Sequence, residues 1–173
     1  MGVATDTPES SDHGLSDFDL MGLALEEARL AGDQGEVPIG AVVVIDGKVV
    51  ARRHNEREQS QDPTSHAELL AIRDAAAAVG SWRLENATVV VTLEPCTMCV
   101  GAMVHARIGK IFFGAKEPRA GALESQLRLM DESHYNHSIE WQGGVLAEQC
   151  GAIMSGFFRA KRAAEKALKS QSS

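Results

Sequence analysis

At 173 residues the chain suits one compact domain with a sizeable core. Hydrophobic content of 44% and charged content of 24% are those of an ordinary globular protein, and no apolar run approaches the ~20 residues of a membrane-spanning helix. A net charge of −7 argues against a uniformly basic nucleic-acid binder, and three cysteines, two of them only three apart, argue against a disulfide framework.

Residues 1–16, rich in Asp, Ser, Thr and Pro without an apolar stretch, are expected to be a disordered extension, and residues 17–169 a single domain. With no signal-peptide pattern, a cytoplasmic location is expected. Ser16-Asp17-Phe18-Asp19 has the form of a capping box, and Leu20, Leu23, Ala24, Ala28 and Ala31 follow at helical spacing up to Gly32. Ile39–Ile45 and Lys48–Ala51 flank Asp46-Gly47, a strong hairpin signal. Asn55 ends this second strand, where asparagine is usually a turn residue. Thr64 or Ser65 can cap a helix through Leu69, Leu70, Ile72 and Ala76, with His66 and Glu68 in its first turn.

Asn86–Thr92 is a β-branched, buried strand, and Pro95 then opens a helix that runs to about Ala106. Lys110–Phe113, about 14 residues after Cys96, predicts a second strand parallel to the first, with the helix as crossover. Residues 117–137 are irregular, with one helical turn expected near Ser125–Leu129 and with His134 and His137 on the surface. Ile139–Gln142 can form an edge strand, and a long helix starts near Leu146 with Cys150 as a buried structural thiol. Helices alternating with a hairpin and parallel strands imply an α/β class, a three-layer α/β/α sandwich around a mixed five-stranded sheet.

Cys96 and Cys99, three apart at a helix start, point the same way, and a helix N-terminus favours thiolates. His66 and Glu68 are two apart and need not ligate one atom: one can hold a metal while the other handles protons. His66, Cys96 and Cys99 make three ligands with a fourth position open, the pattern of a catalytic Zn²⁺, one per chain. Water at such a position has a pKa near 7 rather than about 15.7. Glu94 is expected to pair with a backbone amide or a neighbouring base, and no catalytic role is assigned to it.

His66-Ala67-Glu68 followed by Pro95-Cys96-x-x-Cys99 resembles the signature of the zinc nucleobase deaminases. Within them the chain is most similar to the bacterial tRNA-specific adenosine deaminases. The resemblance runs from Glu36-Val37-Pro38-Ile39-Gly40-Ala41 through Asn55, Asp62-Pro63-Thr64 and Thr92–Met103 to Arg107-Ile108-Gly109, Phe113-Gly114-Ala115 and Phe157-Phe158-Arg159. Glu117-Pro118-Arg119 departs from it, since the family often has aspartate and lysine there. The resemblance implies a cytidine-deaminase-like sandwich, a homodimer, and hydrolytic deamination of adenosine to inosine at the wobble position of a tRNA anticodon. It also implies His66, Cys96 and Cys99 as zinc ligands, Glu68 as proton shuttle and Asn55 as a base or ribose contact. Phe157-Phe158 is a pair more often found in a core than as a base-stacking platform, with Phe157 expected to pack inward and Phe158 to lie near the substrate.

Two alternatives stand beside it: a deaminase of free nucleosides or bases (cytosine or guanine), and a non-catalytic zinc-stapled RNA-binding module, which would need a fourth protein ligand. For tRNA, Arg159, Arg162, Lys166 and Lys169 recur at helical spacing as one basic stripe, with Ala160, Ala163, Ala164, Ala167 and Leu168 as the opposing apolar face. Residues 159–173 carry five basic residues against Glu165 alone, so Arg159, Arg162 and Lys166 are the candidate phosphate contacts. The homodimer has independent support in the Cys96 helix, where Met98, Val100, Ala102, Met103 and Val104 are more apolar than one sheet contact requires.

Overall fold

Ser16 caps the first helix, α1 (Asp17–Asp33): its hydroxyl accepts from the Asp19 amide while the Asp19 carboxylate accepts from the Ser16 amide. The structure, a computed structural model, describes residues 14–172, so the expected extension over residues 1–16 lies mostly outside the described residues. α1 runs past Gly32 to a cap at Gln34, and the chain reverses at Gly35, whose φ of +80° suits glycine.

The hairpin forms as expected from β1 (Gly40–Ile45) and β2 (Lys48–His54), turning through Asp46 and Gly47, both at positive φ. β2 continues three residues beyond Ala51, because Arg52, Arg53 and His54 still pair with β1 while their polar ends reach acidic partners on neighbouring helices. A short helix, α2 (Arg57–Ser60), precedes α3 (Ala67–Val79). Then follow β3 (Ala87–Leu93), α4 (Thr97–His105), β4 (Lys110–Ala115), β5 (Glu140–Gln142) and α5 (Ala147–Gln171).

The sheet order is β2-β1-β3-β4-β5, with β1 antiparallel to both β2 and β3 and with β3, β4 and β5 parallel. It is the mixed five-stranded sheet read from the sequence. Side chains alternate across it. Val43, Val89, Val91, Ile111 and Phe113 pack with α3 and α4 residues such as Ala71, Val100 and Met103. Val42, Val44, Val90 and Phe112 pack on the other face with Met21, Leu25 and Cys150 of α1 and α5. The result is three layers. A Cβ on Gly40 would collide with the Ala24 carbonyl and the Ala28 amide of α1, so this glycine sets how closely that helix lies on the sheet.

Three expectations need correcting. His66 is the N-cap of α3 rather than a first-turn residue, and neither Thr64 nor Ser65 caps the helix. Asp62 instead gathers the Thr64 amide and hydroxyl into a local turn, which delays the helix by two residues. Pro95 likewise lies before α4, whose N-cap is Cys96, because Glu94 and Pro95 are still bonded in extended fashion to Ala115 and Ala122. The turn expected near Ser125–Leu129 is a 3₁₀ turn at Leu129–Asp131. There the Ser125 amide and hydroxyl are used by Glu94, so they are unavailable to a helix.

Candidate active site

Two helix starts meet at the carboxyl end of β3. α3 opens at His66 and α4 at Cys96, both with extended N-cap backbones, and their side chains turn toward each other. His66 Nδ1 lies 3.7 Å from Cys96 Sγ and 3.6 Å from Cys99 Sγ, and the three donors all fall within 4.8 Å of one another. Tetrahedral Zn²⁺ with bonds of about 2.3 Å to sulfur and about 2.0 Å to nitrogen spaces such donors about 3.6 Å apart. The cluster therefore fits zinc in both chemistry and dimension. Among the described residues no fourth His, Cys, Asp or Glu joins it, so one coordination position stays open. A purely structural site would fill that position from the protein.

The electrostatics follow from crowding. Cys99 donates to Cys96 and holds that thiol down to about 4, with His66 assisting, while burial opposes the shift. Cys99 is pushed up, first by its bond to Cys96 and then by burial. His66 is raised by its hydrogen bond to Cys96, which outweighs its partial burial. Glu68, on the first turn of α3, is buried, and burial pushes its carboxyl up to about 7. The ionisable groups that act on it are the three donors themselves. A carboxyl that is neither reliably charged nor reliably neutral at pH 7 is suited to receiving and returning a proton.

Around this centre the polar scaffold is dense. The Glu56 amide donates to the Ser65 carbonyl at 3.1 Å, which brings Asn55 alongside the start of α3. Asn55 is 4% exposed and is no simple turn residue, since its side chain donates to Glu36. Glu94 is buried, and its carboxylate accepts from the amides of Glu117, Leu123, Glu124 and Ser125 and from the Ser125 hydroxyl. Burial opposes its ionisation, but the Ser125 hydroxyl and this ring of amides prevail and hold the carboxyl below the ordinary range. Gly121 passes so close that a Cβ there would collide with the carboxylate. Glu94 thus ties residues 117–125 beside Cys96, in the amide-pairing role expected of it.

Arg159, Arg162 and Phe158 gather elsewhere, with Arg119, Met154 and Ser155, around a surface groove of about 490 Å³. Phe158 is 37% exposed and meets Phe157 edge-on at 5.4 Å. Phe157 is the more buried ring of the two, as anticipated. Lys166 lies one turn beyond the groove. No described residue covers the apolar face expected opposite the basic stripe: Ala160, Ala163, Ala164, Ala167 and Leu168 are all exposed. The sequence reading left two residues without a role. Arg119 lies in the segment that departs from the family pattern, and only the fold brings it beside α5. Glu36 lies in the Glu36–Ala41 motif, and only the fold buries its carboxylate against Asn55 and Gln59.

Residues 15–162 match the MafB19-like deaminases. The chain belongs to that family. It is 49% identical over 146 residues to a tRNA-specific adenosine deaminase of Bacillus subtilis, covering 84% of this chain and 91% of the relative. A protein of the same description from Agrobacterium fabrum is 46% identical over 143 residues, with coverage of 83% and 94%. Among solved structures, one from work on A-to-I editing by tRNA:A34 deaminases at the wobble position superposes with a TM-score of 0.76. It is 45% identical and covers 78% of this chain and 97% of that one. The deaminase carries the α/β sandwich and the zinc-type donor set expected of it, and no described helix is long and apolar enough to cross a membrane.

Proposed function

We propose that the chain deaminates the wobble adenosine of a tRNA anticodon to inosine, with Glu68 as proton carrier and His66, Cys96 and Cys99 as zinc ligands. The observation that carries the reading is a three-donor cluster with one open side and a buried carboxyl, raised to about 7, beside it. Near-full-length relatives with 49% and 46% identity support tRNA adenosine over a free nucleoside or base. The lack of a fourth protein donor among the described residues weighs against a zinc-stapled binding module.

Zinc at this site supplies Lewis-acid activation of water at neutral pH. Glu68 takes one proton from the attacking water as its oxygen bonds to C6 of the base, and passes that proton to N1. The second water proton goes through Glu68 to the amino group, the C6–N6 bond breaks, and ammonia leaves inosine behind. Cys96 and Cys99, fixed at the N-cap and first turn of α4, and His66, fixed at the N-cap of α3, hold the donor triangle rigid. The base must leave its stack to reach so enclosed a centre, which costs least in a single-stranded loop. Asn55 then contacts base or ribose, and Phe158 with Arg159, Arg162 and Lys166 meets the flanking RNA. We place this activity in the cytoplasm, where tRNA is found.

A second copy of the chain completes the proposal. Ile72, Ala76, Trp82, Ala102 and Ala106 line an apolar groove between α3 and α4, and Trp82 is 60% exposed. Such a face supports a homodimer. The reaction is tested by incubating the zinc-loaded protein with total tRNA, free adenosine and free cytidine in parallel. Inosine in tRNA alone is the expected result; conversion only of a free nucleoside would replace this reading.

A further inference from the structure

Glu36 is fully buried in the segment between α1 and β1, yet no cation balances it among the described residues. Its two oxygens meet neutral donors. Oε1 accepts from the Gln59 amide of α2 at 2.7 Å, and Oε2 accepts from Asn55 Nδ2 at 3.3 Å. An uncompensated buried carboxylate is costly and calls for a reason. Capping α2 alone is a poor one, since a neutral amide oxygen would accept from Gln59 equally well.

The reason lies in what a carboxylate does to an amide. An ionised carboxylate only accepts, so the NH₂ end of Asn55 must face it and the Oδ1 end must face away. Asn55 Oδ1 accepts no hydrogen bond from the described residues and is not sealed from solvent, although the residue as a whole is buried. Asn55 therefore offers a fixed acceptor beside the start of α3, where His66 stands. We propose that Glu36 is a positioning residue for substrate: it locks the Asn55 amide so that Oδ1 accepts from an N–H or O–H donor of the bound nucleoside. This rests on the reading of Asn55 as a substrate contact given above.

The substitution that separates positioning from support is Glu36→Gln. The introduced amide keeps an acceptor for Gln59, but it then turns an NH₂ group toward Asn55. Two NH₂ groups cannot bond, so Asn55 flips and presents its NH₂ end to substrate. Adding Asn55→Asp to Glu36→Gln removes the conflict: the introduced amide donates inward and a carboxylate oxygen again faces outward. Asn55→Asp alone sets two carboxylates against each other.

The test uses zinc-loaded variants acting on an anticodon stem-loop carrying the target adenosine, with kcat, KM, zinc content and melting temperature measured for each. Glu36→Gln is expected to raise KM roughly tenfold or more, the cost of one misdirected polar contact, with kcat, zinc and melting temperature near wild type. The double variant is expected to recover most of that loss, and Asn55→Asp alone to be the worse of the two carboxylate variants. Wild-type KM in Glu36→Gln, with Asn55→Ala impaired, overturns the positioning role and leaves the contact standing. Wild-type kinetics in Asn55→Ala removes the contact, and the positioning role falls with it. A double variant no better than Glu36→Gln also overturns the proposal.

Discussion

Glu68 and Cys96 act on each other electrostatically and answer to different chemistry. Cys96 carries the more acidic of the two thiols, held near 4 by Cys99, and without its sulfur the donor triangle is broken. Cys96→Ala should bind less than one zinc per chain and melt earlier, because the ion's binding energy contributes to folding. Glu68→Ala should retain a full complement of zinc by elemental analysis while kcat falls about 10²- to 10⁴-fold, the usual worth of a positioned acid–base. Metal lost from Glu68→Ala would make it a ligand and undo the proton path. Glu94 makes a third case. It gathers four amides and a hydroxyl without touching the cluster. Glu94→Gln puts a donor where an acceptor stood and forfeits at least one bond to a charged group, about 1.5–3 kcal/mol. Faster amide exchange over residues 117–125, ahead of any loss of the sheet, is the expected signature.

At the level of elements, legibility followed locality. β1, β3 and β4 are runs of Val, Ile and Phe whose burial on both faces is written in composition, and the turn at Asp46-Gly47 needs only two residues to be seen. The donor set could be read for the same reason, since two short motifs at helix starts hold all of it. Residues 117–125 could not, because their order is imposed by the Glu94 carboxylate more than twenty residues upstream. The start of α3 was misjudged because Asp62 competes locally for Thr64. Helix α5 is the most instructive element. Its first half packs through Cys150 and Ile153, and from Arg159 onward every described residue is exposed. That end is alanine-rich and keeps its helix by propensity. Reversing Arg159, Arg162 and Lys166 to Glu should weaken tRNA binding and flatten the slope of log affinity against log salt by roughly two units. Zinc content should not change. Unaltered affinity would place the RNA surface on another face.

For the molecule as a whole, the groove between α3 and α4 is an apolar face on the same two helices that carry the proposed metal ligands. Light scattering at micromolar concentration should give twice the chain mass of 18.5 kDa. Trp82→Asp should shift it toward one chain, whereas a monomer in the unaltered protein would leave the groove without its proposed occupant.

His66 and the two cysteines lie on opposite sides of β3 in the chain, with all of α3 and the strand between them. A ribosome therefore delivers the histidine before either sulfur, and the full three-donor set exists only once both helix starts have been brought together. An ion held by all three donors would tie the starts of α3 and α4 together beside that strand, and so would favour chains in which both helices are seated.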